Sequence, residues 1–182
     1  MTTLTSHLLI ASRELENDFF SQAVILVLEH HEQGAAGIVL NKPSEVPLED
    51  VWPELDEAEF SRENELVNIG GPCEGPVVAL HTCVECSEAP VLPGVEMAVK
   101  QDNLRRLMKT RSDVRLFSGY SGWAPGQLEN EIELGGWYST KASSSLIFSD
   151  PADLWRQACE QYGNGILSKA IGGRAFSNAS MN

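Results

Sequence analysis

FSGYSGWAPGQLENEIELGGW, residues 117–137, is the stretch whose reading decides how this chain folds. It sets Gly119, Gly122, Gly126, Gly135 and Gly136 beside Tyr120, Trp123, Trp137 and Pro125. Glycine reaches backbone conformations closed to other residues, proline holds φ, and large aromatics demand burial, so the mixture specifies a shape. Its second half reads as a helix that Pro125 is placed to start and Gly135-Gly136 to stop, with Leu128 and Ile132 toward the core. Gln127, Glu129, Glu131 and Glu133 line its exposed side. Upstream, Val114 to Phe117 reads as a strand, and downstream Trp137 to Thr140 and Leu146 to Phe148 read as two more.

The N-terminal part is richer in strands. Leu4 to Ala11 is one candidate, and Ser21 to His30 is another whose apolar run from Ala23 to Leu28 suits a strand covered on both faces. Gly34 to Gly37 reads as a turn of small residues into a third strand, Gly37 to Leu40, closing a hairpin. Pro47 to Leu55 predicts a short helix, and Leu66 to Ile69 and Pro76 to His81 predict two strands that pair with each other. Residues 83–94 read as a loop and Val95 to Val99 as a strand. Asp102 to Lys109 reads as an amphipathic helix with Asp102 as its N-cap. Asp150-Pro151 opens a last helix through Tyr162. The expectation is one α/β domain of α+β-like character over residues 1–164, a mixed sheet flanked by helices, followed by an irregular tail over 165–182.

Composition narrows the function. The chain has 182 residues, 42% of them hydrophobic, and a formal net charge of −13, so a polyanionic partner is disfavoured and direct nucleic-acid binding is not expected. Nine acids between Glu45 and Glu65 face one base, Arg62, and read as a solvated surface. Lys100 to Arg115 carries a net +4, too little to bind nucleic acid alone. No apolar run approaches the roughly 18 residues of a membrane span, and MTTLTSHLLIAS lacks the basic start of a signal peptide, so a cytoplasmic protein is expected.

The chemical motifs are incomplete. A nucleophile elbow needs glycine two residues either side of its serine, and around Ser121 the second place is Trp123. His31-Glu32 lacks the second histidine of a zinc-protease helix. Cys83-Val-Glu-Cys86, with His81 and Cys73 before it, has the spacing of a metal-ligand set, of a redox dithiol or of ordinary reduced thiols. Glu29-His30-His31 ends a strand beside a glycine turn, where catalytic side chains are often displayed. No complete catalytic set and no cofactor motif emerges.

Several of these segments occur together in a known family. HLLIAS at 7–12, EHHEQGAAGIVLNKP at 29–43, GGP at 70–72, VALH at 78–81, GYSGWAPGQLENEI at 119–132 and DLW at 153–155 resemble the bacterial AlgH/YqgE family. The resemblance implies one compact α/β domain built on a bent, mixed sheet, in a family without an established activity. One member's label implies a transcriptional regulator of alginate synthesis, yet nothing here resembles a helix-turn-helix. Ser121 stands where the pattern has alanine, and the Cys83/Cys86 pair lies outside it. The leading expectation is a non-enzymatic binding or regulatory protein for a small molecule or a protein, with its ligand surface at His30, Asn41, Gly71, Tyr120, Trp123, Gln127 and Glu129. The alternative is an enzyme with His30 as general base and Glu129 or Glu131 as acid or metal ligand.

Overall fold

A computed structural model of the chain describes residues 3–13, 15, 17–46 and 67–178. The predicted helix at Pro47 to Leu55 and most of the acidic stretch lie outside them. The described strands are β1 (His7–Ala11), β2 (Val24–His31), β3 (Gly34–Val39), β4 (Val67–Ile69), β5 (Val78–His81), β6 (Ala89–Leu92), β7 (Val95–Ala98), β8 (Val114–Ser118), β9 (Ser121–Trp123) and β10 (Trp137–Lys141). The helices are α1 (Gln101–Met108), α2 (Gln127–Glu133), α3 (Ser144–Ile147) and α4 (Pro151–Asn178).

The strands form two five-stranded sheets, ordered β10-β1-β2-β3-β9 and β4-β8-β5-β7-β6. The first is antiparallel throughout; the second is mixed, because β4 runs parallel to β8. The α+β class is as expected, but the strands divide between two sheets where one bent sheet was foreseen. Residues 117–123 are the reason. Ser118 ends β8 in the second sheet, and three residues later Ser121 begins β9 in the first. The chain then covers the first sheet with α2 and returns along its opposite edge as β10.

Alternation along the strands sorts the side chains into layers. Leu8, Ile10, Val24, Leu26, Ile38 and Leu40 meet Leu80, Val95 and Phe117 of the second sheet and Leu146, Ile147, Leu154 and Ala158 of α3 and α4. On the other face Leu9, Ile25, Val27 and Val39 pack under Trp123, Leu128 and Trp137. A third cluster sets Ala79, Ala98 and Leu116 against Leu104, Leu107 and Met108 of α1. So β2 is covered on both faces, as its unbroken apolar run predicts.

The structure corrects several local readings. Gly34 to Gly37 is strand, since Ala35, Ala36 and Gly37 pair with Trp123, Gly122 and Ser121. β4 pairs with β8, and β5 with β7 and β8, so the expected β4–β5 pair does not form. Residues 83–94 contain a single 3-10 turn, Val84–Cys86, and the strand β6. Leu146–Phe148 is largely helical because the Ser143 side chain accepts from the Leu146 N–H as an N-cap. Lys100 stands at the N-cap of α1, and the cap is supplied from afar: Glu88 accepts from the N–H groups of Val99 and Lys100 and from the Asn103 amide. α4 runs on to Asn178, correcting the irregular tail: Gly163 and Gly165 each cost about 1 kcal/mol, and no proline blocks the ladder. No helix among the described residues is long and apolar enough to cross a membrane.

Candidate functional site

The seven residues expected to form one ligand surface separate into four settings. His30 is the most constrained. Its Nδ1 accepts the Leu4 N–H at 2.9 Å, which places the ring proton on Nε2, and Nε2 donates to the Glu129 carboxylate at 2.9 Å. The His30 side chain is 2% exposed and that of Glu129 32%. The Glu129 carboxyl is held below its ordinary range, first by a bond from its own backbone N–H and then by His30, against the opposing effect of desolvation. The pair joins β2 to α2 across 99 residues. Glu129 and His30 thus converge, as the enzymatic alternative requires, but both ring nitrogens are engaged. Taking a substrate proton on Nδ1 would break the Leu4 bond, and Nε2 already carries its own.

Trp123 and Gln127 belong to a second network, centred on Glu131. Its Oε2 accepts from the indoles of Trp123 at 3.0 Å and Trp137 at 2.8 Å, and its Oε1 accepts from the Gln127 amide at 2.9 Å. The Gln127 carbonyl in turn accepts the Ala124 N–H at 3.0 Å, closing the turn into α2, which starts at Gln127 and not at Pro125. The two indoles meet edge to face at 6.2 Å. Glu131 is therefore a structural acceptor for two buried indoles.

Asn41 is third. It accepts the Val24 N–H at 2.8 Å and donates to the Gln22 carbonyl at 2.8 Å, holding the entrance to β2 where Gln22 has positive φ.

Gly71 and Tyr120 form the fourth, a crossing of two backbones. Cys73 and Tyr120 exchange N–H to carbonyl bonds of 3.0 Å, and the Gly70 N–H donates to the Ser118 carbonyl at 2.7 Å. A Cβ on Gly71 would lie 2.1 Å from the Tyr120 carbonyl carbon. Beside the crossing, a cleft of about 330 Å³ opens between the sheets. Its walls include Leu28, Ile38, Val78, Val91 and Met97, and its polar groups include Thr5, Glu29 and Tyr120. Tyr120 is 40% exposed on this fixed backbone. A bulge between Val27 and Glu29 shifts the β2–β3 register beside the cleft, as bulges near binding sites commonly do. Glu29 enters the sequence reading only as the start of the Glu29-His30-His31 strand end, and Leu28 and Thr5 escape it as site residues; a bulge leaves no trace in periodicity. Gly71 lines a neighbouring hollow of about 610 Å³ with Ser44, Asn68, Pro72 and Glu74.

The other candidates are placed equally clearly. Ser121 is 1% exposed and its hydroxyl has no partner among the described residues, so it is no nucleophile. Ser121→Ala is expected to raise stability by about 1 kcal/mol, measured as a higher urea midpoint at unchanged slope, because it removes a buried unbonded hydroxyl. Cys73, His81, Cys83 and Cys86 do not assemble as ligands. No group of three or more metal-ligating side chains occurs among the described residues, and Cys73 sits at the Tyr120 crossing while Cys83 and Cys86 belong to the α1 cluster. His81 is fully buried, and burial lowers its proton affinity against the pull of Glu96. Arg115 leaves the basic stretch and turns inward. It donates to the carbonyls of Ile147 at 2.9 Å and Leu40 at 2.5 Å and covers the Phe117 ring, and burial pulls its pKa down to about 10.

Against known proteins, residues 8–166 match the AlgH-like family model. The chain belongs to the AlgH-like family. Among its AlgH-like relatives, a UPF0301 protein of Chlorobaculum tepidum is 35% identical over 164 residues, 86% of this chain and 85% of that one. Another, from Delftia acidovorans, is 36% identical over 167 residues, 82% and 83% of the two chains. The fold is similar to the solution structure of AlgH from Pseudomonas aeruginosa, with a TM-score of 0.72 and 29% identity over 87% of each chain. It is also similar to the crystal structure of the Corynebacterium diphtheriae protein DIP2367, with a TM-score of 0.70 and 27% identity over 85% of each chain. The match leaves out the first seven residues and most of the C-terminal half of α4; the crossing, the cleft apart from Thr5 and both carboxylate networks apart from Leu4 lie within the AlgH-like region.

Proposed function

We propose that this AlgH-like protein is a cytoplasmic binding protein, and that the cleft beside Tyr120 takes a small organic molecule with an apolar body and a cationic end. The observation that carries the reading is the exposed Tyr120 side chain, held on a rigid backbone crossing and facing an apolar cleft that also presents Glu29. A volume of about 330 Å³ is in the range of small-ligand pockets, and apolar walls with a few convergent polar groups are their usual lining. Glu29 supplies a carboxylate, and the net charge of −13 favours cations over anions at the surface. Binding without catalysis is supported by the engagement of His30, Glu129 and Glu131 in fixed bonds.

The test is an NMR titration of the 15N-labelled protein with phenethylamine and, separately, phenylacetate, which has a similar body and the opposite charge. Phenethylamine is expected to shift the amides of Gly75, Gly119 and Tyr120. Glu29→Gln and Tyr120→Ala are each expected to weaken binding about tenfold, equivalent to about 1.4 kcal/mol. Equal binding of the two probes, or no response in the cleft at millimolar phenethylamine, would refute the cationic-ligand reading.

A further inference from the structure

The Cys83/Cys86 pair is used neither by the cleft nor by the carboxylate networks. The 3-10 turn closes with the Cys86 N–H donating to the Cys83 carbonyl at 3.2 Å, which puts the two residues three apart at the ends of one tight turn. Their sulfurs lie 3.3 Å apart, closer than an ordinary side-chain contact of about 4 Å. A disulfide has a bond of about 2.0 Å, so bridging needs a sulfur approach of about 1.3 Å, within reach of side-chain rotation in a turn of this span. The two thiols differ in access. Cys83 is 8% exposed beside Val84, which is 70% exposed, whereas Cys86 is 2% exposed against α1. Burial and the neighbouring Cys83 thiol also push the Cys86 pKa up to about 11, so Cys86 keeps its proton, and Cys83 is the more exposed of the two.

We propose that Cys83 and Cys86 form a reversible dithiol–disulfide couple that exchanges with low-molecular-weight disulfides, Cys83 entering first and Cys86 resolving. In the first step the Cys83 thiolate attacks one sulfur of the external disulfide, forming a mixed disulfide and releasing one thiolate. In the second, Cys86 loses its proton to that released thiolate and attacks the Cys83 sulfur, expelling the second thiolate. Two protein thiols are oxidised, one external disulfide is reduced to two thiols, and the two protons pass to them. Glu85 lies 3.4 Å from the Cys83 sulfur and accepts its S–H in the reduced state.

The experiment incubates the reduced full chain with oxidised glutathione, blocks remaining thiols with N-ethylmaleimide, and maps all four cysteines by mass spectrometry. The expected product carries the alkyl group on Cys73 and Cys159 only, is two hydrogens lighter at Cys83 and Cys86, and returns to four alkylated cysteines after dithiothreitol. In Cys86→Ser the expected product is glutathione trapped on Cys83. Should that variant fail to fold, a brief limiting pulse of N-ethylmaleimide on the reduced wild type replaces it, and Cys83 is expected to be labelled several-fold faster than Cys86. A Cys73→Ser chain is expected to lose the same two hydrogens. The proposal is overturned if Cys83 and Cys86 stay alkylatable, if glutathione remains on Cys83 in the wild type, if Cys86 is labelled first, or if Cys73→Ser abolishes the bridge.

Discussion

Gly71→Ala is expected to destabilise the protein by about 4 kcal/mol or more, the range reserved for a steric conflict that the core cannot absorb. The new Cβ would sit 2.1 Å from the Tyr120 carbonyl carbon, 2.2 Å from its oxygen and 2.4 Å from the Ser121 nitrogen, all backbone atoms. Flexible side chains can yield to such a group; a backbone in a hydrogen-bonded crossing cannot. Relief would require parting Cys73 from Tyr120 and Gly70 from Ser118, which are the bonds that bring the two sheets' connections together. Gly126→Ala is the matched control. Gly126 has a φ of +74° and open space around its Cβ position, so its cost is the left-handed backbone alone, about 1 kcal/mol. Urea unfolding of the two variants decides the matter. If Gly71→Ala is no worse than Gly126→Ala, the crossing is looser than described.

Glu131→Ala is expected to cost about 3 kcal/mol, since it strips the acceptor from the buried indole N–H groups of Trp123 and Trp137 together. Trp123 is 8% exposed and Trp137 2%, so water does not replace the carboxylate without opening the packing over the first sheet. Glu131→Gln keeps one carbonyl acceptor and is expected to lose about half as much. Its amide would face the Gln127 amide, which must turn over and release the Ala124 N–H. Tryptophan fluorescence reports the indole environment, and urea midpoints report the stability. A Glu131→Ala protein as stable as the wild type would mean that the indoles find other acceptors.

Much of the fold could be read along the chain. The apolar run from Ala23 to Leu28 announces a strand covered on both faces, and Gly37 to Leu40 announces its hairpin partner; β2 and β3 do pair, with packing on each side. Asp150-Pro151 announced α4, and Leu128 was correctly turned toward the core. The misreadings share one cause. Gly34 to Gly37 reads as a turn because small residues favour turns, whereas here they are small so that β9 can approach: a Cβ on Gly34 would lie 2.2 Å from the Trp123 carbonyl oxygen. Leu146 to Phe148 reads as strand from its apolar side chains, and the Ser143 cap makes it helical instead.

The site was less legible than the fold. Tyr120, Trp123 and Gln127 stood out together in residues 117–137, and nothing local distinguishes them; Trp123 and Gln127 answer to Glu131, while Tyr120 faces the cleft. Composition and periodicity by themselves determined the α+β class, the burial of β2 and the last helix, and the resemblance of whole segments to known proteins pointed to the AlgH-like family. The tertiary structure alone decided that the chain makes two sheets, that His30 meets Glu129 across 99 residues, and that Gly119-Tyr120 is a crossing point between layers. The physical reason is range. Periodicity records which face of an element is apolar, but a hydrogen bond or a backbone crossing between distant segments depends on how those faces are stacked, and stacking leaves no local pattern.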